Sequence, residues 1–258
     1  MIASLATVHL ALSTILLLAA AGLVAGAVNA IAGGGSLISF PALLAVGYPA
    51  LQANVTNTVA VVPGYLGGSL AYRPELEGQR QRVIFLGAVS FVGGLAGAIL
   101  LLISPGAVFR AIVPWLILFS CGLLAVQPRV TAWVRKQTKG GEAPRPVQAA
   151  AQVLAAVYGG YFGAGLGVMM LAFLGLFLHD SLQRLNALKG LLSLVVNLVA
   201  ALIFAVFGPV AWWPVLIMAV TSLVGGNLGV YVARRLSPHV LRTMVIGVGL
   251  AVGIRLLV

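Results

Sequence analysis

Two glycine-rich interruptions in long apolar runs carry most of the chemistry in this 258-residue chain. The first is Gly33-Gly34-Gly35-Ser36, and the second holds Gly163, Gly165 and Gly167. Glycine takes backbone angles that other residues resist. An unwound backbone exposes N–H groups, and a helix beginning near Ser36 would point its positive end at the gap. Such a gap stabilises an anion. Small residues also let helices approach closely, so packing is the competing use of these glycines. Polar residues follow each interruption: Asn54-Val55-Thr56-Asn57-Thr58 after the first, and Asn186-Ala187-Leu188-Lys189 after the second, with Asn197 farther along. On a helix, residues 54 and 58 share a face with 57 beside them, and 186, 189, 193 and 197 line another. Lipid penalises such a stripe, so it should face a cavity or a partner helix. Asparagine and threonine can hydrogen-bond an oxyanion, and Lys189 would add positive charge. The competing readings are bonds between helices for the asparagines and a snorkelling side chain for Lys189.

The elements that must position these residues follow from composition. Charged residues make up 7% of the chain and hydrophobic residues 61%. A water-soluble domain carries roughly 25% charged residues. The fitting solvent is therefore a bilayer, in which backbone groups must pair internally. Runs such as Val83 to Ile103 and Val108 to Val126 are continuously apolar, without the alternation of barrel strands. The expected fold is all-α and polytopic. Ten apolar segments are read at 8–31, 36–47, 51–72, 83–103, 108–127, 147–163, 166–178, 185–207, 210–233 and 240–257. The start, Met1 to His9, has no Lys or Arg and is kept as part of the first helix. The second and seventh segments fall short of the roughly 20 residues of a span, so they are half-helices or re-entrant pieces.

The net charge of +11 does not imply nucleic acid. Basic residues cluster in three loops, around Arg73, Arg80 and Arg82, around Arg129 to Arg145 (with Lys139), and around Arg234, Arg235 and Arg242. These loops share one side if every segment crosses, and that side is expected to be the cytoplasm. Arg110 and Arg255 stand outside this pattern.

A shift of 132 residues superposes Gly33 and Gly35 on Gly165 and Gly167, Asn54 on Asn186, Ser90 and Gly93 on Ser222 and Gly225, and Arg110 on Arg242. The chain therefore reads as a duplication: residues 1–127 form the first membrane repeat, 128–146 a basic cytoplasmic linker and 147–258 the second repeat. Five crossings per repeat would invert one relative to the other; four would leave them parallel. The charges favour inversion, the usual architecture of carriers whose site forms at the repeat interface. Gly93, Gly94 and Gly97 and their mates sit mid-helix and read as packing glycines.

The absences are informative. Glu75, Glu77, Glu142 and Asp180 are the only acids, and all lie in or beside loops. A cation substrate is disfavoured, since cation pathways use buried carboxylates. His9, His179 and His239 sit near segment ends, and no metal-ligand spacing, nucleophile–base pair or phosphate loop is present. No enzyme activity, cofactor or metal is expected. The lone Cys121 reads as a buried hydrophobe.

These residues resemble the sulfite exporter TauE/SafE family, also called the 4-toluene sulfonate uptake permease family, from about Ile15 to Val258. The marks are Gly22-x-x-x-Gly26, Ala32-Gly33-Gly34-Gly35-Ser36-Leu37 with Pro41, and Ala53-Asn54-Val55-Thr56-Asn57. The second set is Gly159-x-x-x-Gly163-Ala164-Gly165-Leu166-Gly167 and Asn186-Ala187-Leu188-Lys189. It departs in having Leu166 for a third glycine and Phe173 in the place of Pro41. The resemblance implies a multi-pass protein of the bacterial inner membrane that carries sulfur-containing anions such as sulfite, sulfonates or sulfoacetate. The expected partners are a small anionic substrate and the lipid bilayer, with no nucleic acid; a homodimer is an open arrangement. Together, motifs and resemblance give a secondary carrier working by alternating access. The alternative is a non-transporting membrane assembly or maturation factor.

Overall fold

A computed structural model describes residues 11–31, 33–136, 142–232 and 238–257, apart from the side chains of 230–241. Residues 8–10, Ala32, Lys139, Arg234 and Arg235 lie outside the described residues, as does the side chain of His239. The helices are α1 (Leu12–Ile31), α2 (Ser36–Ala45), α3 (Ala50–Ala71), α4 (Arg80–Ile103), α5 (Gly106–Lys136), α6 (Arg145–Tyr161), α7 (Leu166–Phe177), α8 (Leu182–Phe207), α9 (Trp212–Val232) and α10 (Pro238–Arg255). A short 3-10 turn, Arg73–Leu76, precedes α4. All ten expected segments are helices. One boundary lies well beyond the apolar run: α5 continues to Lys136, so the stretch from Pro128 to Lys136 is helical. The cause is burial, since Val134 is 1% exposed and packs with the core beside Gly175.

Helices α1, α4, α5, α8 and α9 are long and apolar enough to cross a membrane. Their outer faces expose Ile103, Trp115, Phe207 and Val220 at 62–72%, a surface that water would penalise and lipid does not. Inside, glycine lets helix backbones touch. Gly26 abuts Ser222 and Gly226 between α1 and α9, and Gly97 abuts Val157 and Gly160 between α4 and α6. The mid-helix glycines therefore pack, as expected.

The short helices fold back on their predecessors. Ala143 N donates to Phe177 O at 3.0 Å, so α7 ends where α6 begins. Gly35 at the start of α2 lies against the Ala25 backbone of α1. Each pair is thus a helical hairpin with its glycine break at the tip.

Exchanging α1–α5 with α6–α10 reproduces the packing. Helix α9 lies against α1 and α3, as α4 lies against α6 and α8; α2 meets α10, as α7 meets α5. Hydrogen bonds of the two breaks also coincide. Gly33 N donates to Val28 O (2.9 Å) and Gly163 N to Tyr158 O (3.2 Å); Ile38 N donates to Gly35 O (2.9 Å) and Val168 N to Gly165 O (3.0 Å). These pairs stand 130 residues apart, whereas Asn54 and Asn186 stand 132 apart. Helix α7, with 12 residues against 10 in α2, absorbs the difference. In three dimensions Gly33 therefore corresponds to Gly163 and Gly35 to Gly165, which corrects the ungapped pairing at the breaks. Helices α3 and α8 run antiparallel, with Ser69 opposite Gly190 and Val55 against Gly208.

One ionic cluster grips the base of the second hairpin. Arg82 of α4 pairs with Glu142, just before α6, and with Asp180, just after α7, at 2.6 Å. Arg184 pairs with Asp180 at 2.9 Å and donates to Glu77 O at 2.9 Å. Burial alone would raise the Asp180 carboxyl, but hydrogen bonds from Arg184 and Arg82 outweigh it and hold the group below the ordinary carboxylate range. A depressed carboxyl contributes stability above its ordinary value and loses it as pH falls through the folded value. Melting of the purified protein should therefore be insensitive to this group from about pH 6 to about pH 8. Below about pH 4 it should drop more steeply in wild type than in Asp180→Asn. Parallel curves at low pH would remove Asp180 from the clamp.

Candidate functional site

The hairpin tips meet each other. Gly167 N donates to Gly33 O at 3.3 Å, and a side chain on Gly33 would overlap the Gly167 Cα. Gly33, Gly163 and Gly165 have φ of 79°, 78° and 74°, the left-handed region that favours glycine. Helix α5 backs both tips, with Leu124 against Gly34 and Ser120 against Gly165. Tyr158 donates to Ala164 O at 2.5 Å. The N–H groups of Gly33, Gly35, Gly163 and Gly167 all have acceptors within the protein. One hydrogen bond, from Gly167 N–H to Gly33 O, joins the two breaks.

Lys189 lies beside the first tip. It is 2% exposed, so it does not snorkel to the surface. Its Nζ donates to Asn186 Oδ1 at 3.0 Å and approaches Ile31 O, the last residue of α1, at 3.5 Å. A cation is favoured at a helix C-terminus. Yet among the described residues, which include all four acids, no carboxylate pairs with Lys189; the ion pairs involve only Arg82 and Arg184.

The first repeat reciprocates. Asn54, the counterpart of Asn186, donates Nδ2 to Tyr161 O at 3.0 Å, and Tyr161 ends α6 as Ile31 ends α1. Each repeat's third helix thus reaches the carbonyl end of the other repeat's first helix. Asn57, the counterpart of Lys189 by position, holds α2 on α3: it donates to Ser36 Oγ at 3.1 Å and accepts from Ser39 Oγ at 2.5 Å.

Two expected residues sit elsewhere in this network. Thr56 Oγ1 accepts from Ala211 N at 3.0 Å and ties α3 to the start of α9. Asn197 donates to Ser193 O of its own helix at 2.9 Å, while its Oδ1 flanks Gly163. The structure brings together Gly33, Gly34, Gly35, Ser36, Asn57, Asn186 and Lys189 at the first tip, and Gly163, Gly165, Gly167, Asn54 and Asn197 at or beside the second.

Sequence reasoning missed Asn29, Ser39, Ser120 and Tyr158. Asn29 carries the only side-chain amide in α1, a signal that called for the same reading as Asn54. Among the described residues no His, Cys, Asp and Glu cluster could hold a metal.

A family model described as sulfite exporter TauE/SafE matches residues 18–256. The chain is 29% identical over 247 residues to a probable membrane transporter protein, ORF9, of Sinorhizobium sp, covering 92% of this chain and 90% of that one. It is 28% identical over 229 residues to a probable membrane transporter protein of Haemophilus influenzae, covering 87% of each. It is 27% identical over 242 residues to the probable membrane transporter protein YfcA of Escherichia coli K12, covering 91% and 86%. With its apolar helices, its paired glycine-tipped hairpins and this match along nearly its whole length, the chain belongs to the sulfite exporter TauE/SafE family of multi-pass membrane transporters.

Proposed function

We propose that this protein is a secondary carrier of small anions, of the sulfur oxyanion class that includes sulfite and sulfonates, and that it works by alternating access in the bacterial inner membrane. The observation that carries this reading is Lys189, a buried cation with no carboxylate partner among the described residues. An uncompensated buried charge costs several kcal/mol. A bound anion offsets that cost, whereas a cation would compound it. The family description supports the sulfur oxyanion class.

The antiparallel run of α3 and α8 supports inverted repeats, with one hairpin entering from each face. Release of either tip would then open Lys189 toward one side, while the other tip stays sealed. Positive charge in the loops around Arg82 and Arg145 favours the cytoplasm for that face.

The test is uptake of radiolabelled sulfite into proteoliposomes. Wild type should exceed empty vesicles. Asn54→Ala leaves Tyr161 O without its donor at a cost of about 1–3 kcal/mol, so its flux should fall by roughly tenfold or more. Wild-type flux no greater than that of empty vesicles, across sulfite and a panel of sulfonates, would refute the proposal.

A further inference from the structure

Asn29 stands on α1, four residues before Gly33, and is 3% exposed. Its Oδ1 accepts from the Gly35 N–H at 2.7 Å, at the start of the ten-residue helix α2. That bond decides the orientation of the amide, because an N–H needs an oxygen opposite it. Nδ2 is therefore the other arm, and among the described residues it is buried without a partner. It is the one buried side-chain amide nitrogen among the described residues left in that condition. An unmade hydrogen bond of this kind costs about 1–3 kcal/mol.

The surroundings define what would complete it. The partner must be an acceptor. It must tolerate the positive end of α2 and a lysine ammonium that bonds Ile31 O, two residues beyond Asn29. The second tip cannot do the same. Position 159, which corresponds to 29 in the register of the breaks, is glycine and carries no side chain, and the Leu166 and Val196 side chains pack against it. The two halves are therefore chemically unequal at the place where their folds agree best.

We infer that the transported anion binds off-centre, on the tip of the first hairpin, with Asn29 Nδ2 donating to one of its oxygens while Lys189 supplies the charge. This assignment rests on the anion-carrier reading. Asn29 has two jobs with one amide: its oxygen closes the turn, and its nitrogen reads the substrate. The second hairpin then acts as a cover that contributes Gly167 N–H to the Gly33 carbonyl and no donor of its own from position 159.

Asn29→Asp separates the two jobs. Aspartate keeps the shape and the acceptor for Gly35 N–H, and it puts an oxygen where Nδ2 was. In proteoliposome uptake assays the KM for sulfite should rise by at least about tenfold, from the lost hydrogen bond to a charged group together with repulsion by the new carboxylate. The purified variant should melt no lower than wild type, because the turn stays capped. Asn29→Ser, which loses the nitrogen, adds no charge and can keep an oxygen near the turn, should also raise the KM, separating the lost donor from the added carboxylate, and it stands alone should Asn29→Asp not yield folded protein. A wild-type KM in the folded variant overturns the assignment, as does a fall in maximal rate with KM unchanged. Wild-type protein without flux would instead sink the carrier reading; wild-type flux with indifferent Asn29 variants would sink this assignment alone.

Discussion

Replacing Lys189 with methionine should abolish sulfite flux and leave the purified protein at least as heat-stable as wild type. The two halves of that result have one cause. Lys189 is 2% exposed, and no described carboxylate neutralises it. Its hydrogen bonds to Asn186 Oδ1 and toward Ile31 O offset part of the desolvation cost. Methionine has a similar length and no charge. It removes a penalty of several kcal/mol and leaves two acceptors, each in a half-buried residue, short of a donor. The fold should therefore gain or break even. Function should not. Losing one partner of a buried ion pair costs about 3–5 kcal/mol, which lowers kcat/KM for an anion by roughly 100-fold or more. Lys189→Arg is a useful companion, since it keeps the charge and loses the fit. A methionine variant that carries sulfite at the wild-type rate, or that melts well below wild type, would show that Lys189 is a structural cation.

Gly33→Ala should destabilise the protein well beyond Gly47→Ala, and Gly47→Ala measures how much of that damage is backbone strain. Both glycines have positive φ, 79° and 102°. A left-handed conformation costs an L-residue about 1–2 kcal/mol. A methyl group on Gly47 would meet nothing within 4 Å, so strain is its whole cost. Gly33 adds two further terms. The new methyl overlaps the Gly167 backbone, and overpacking of this kind costs about 1–3 kcal/mol. Parting the tips also breaks the Gly167 N–H to Gly33 O bond, worth about 1 kcal/mol. Gly33→Ala should thus lose roughly three times as much stability as Gly47→Ala and should lose flux as well, because the tips no longer seal. Melting curves of the two variants in the same detergent decide it. Equal losses would mean that the tips are free to separate at no cost.

The location of the helices was legible along the chain. The segments read at 36–47 and 166–178 are α2 (Ser36–Ala45) and α7 (Leu166–Phe177), and the longer runs agree as closely. A bilayer forces this correspondence, since backbone groups in hydrocarbon must bond within their own helix and an apolar run and a helix end together. The exception, α5, shows the limit. Its last turns are polar in sequence and are helical because Val134 finds a core to enter.

The candidate site was legible as residue types and illegible as partners. Asn54, Thr56 and Asn57 stand in one polar stretch, yet they bond to Tyr161, Ala211 and Ser36 in three different elements. A rotation of about 100° per residue sends neighbours in sequence to different neighbours in space. Asn29 escaped notice because its role depends on a turn six residues later.

Composition and hydropathy by themselves determined an α-helical membrane protein of ten apolar segments, interrupted by glycine at two places. Tertiary structure alone decided that the interruptions are hairpin tips in contact, that they correspond at 130 residues rather than 132, and that Lys189 turns inward to Ile31. Transfer into lipid is a property that each segment carries alone, whereas a contact between residues 31 and 189 is set by how helices pack and leaves no trace in either segment.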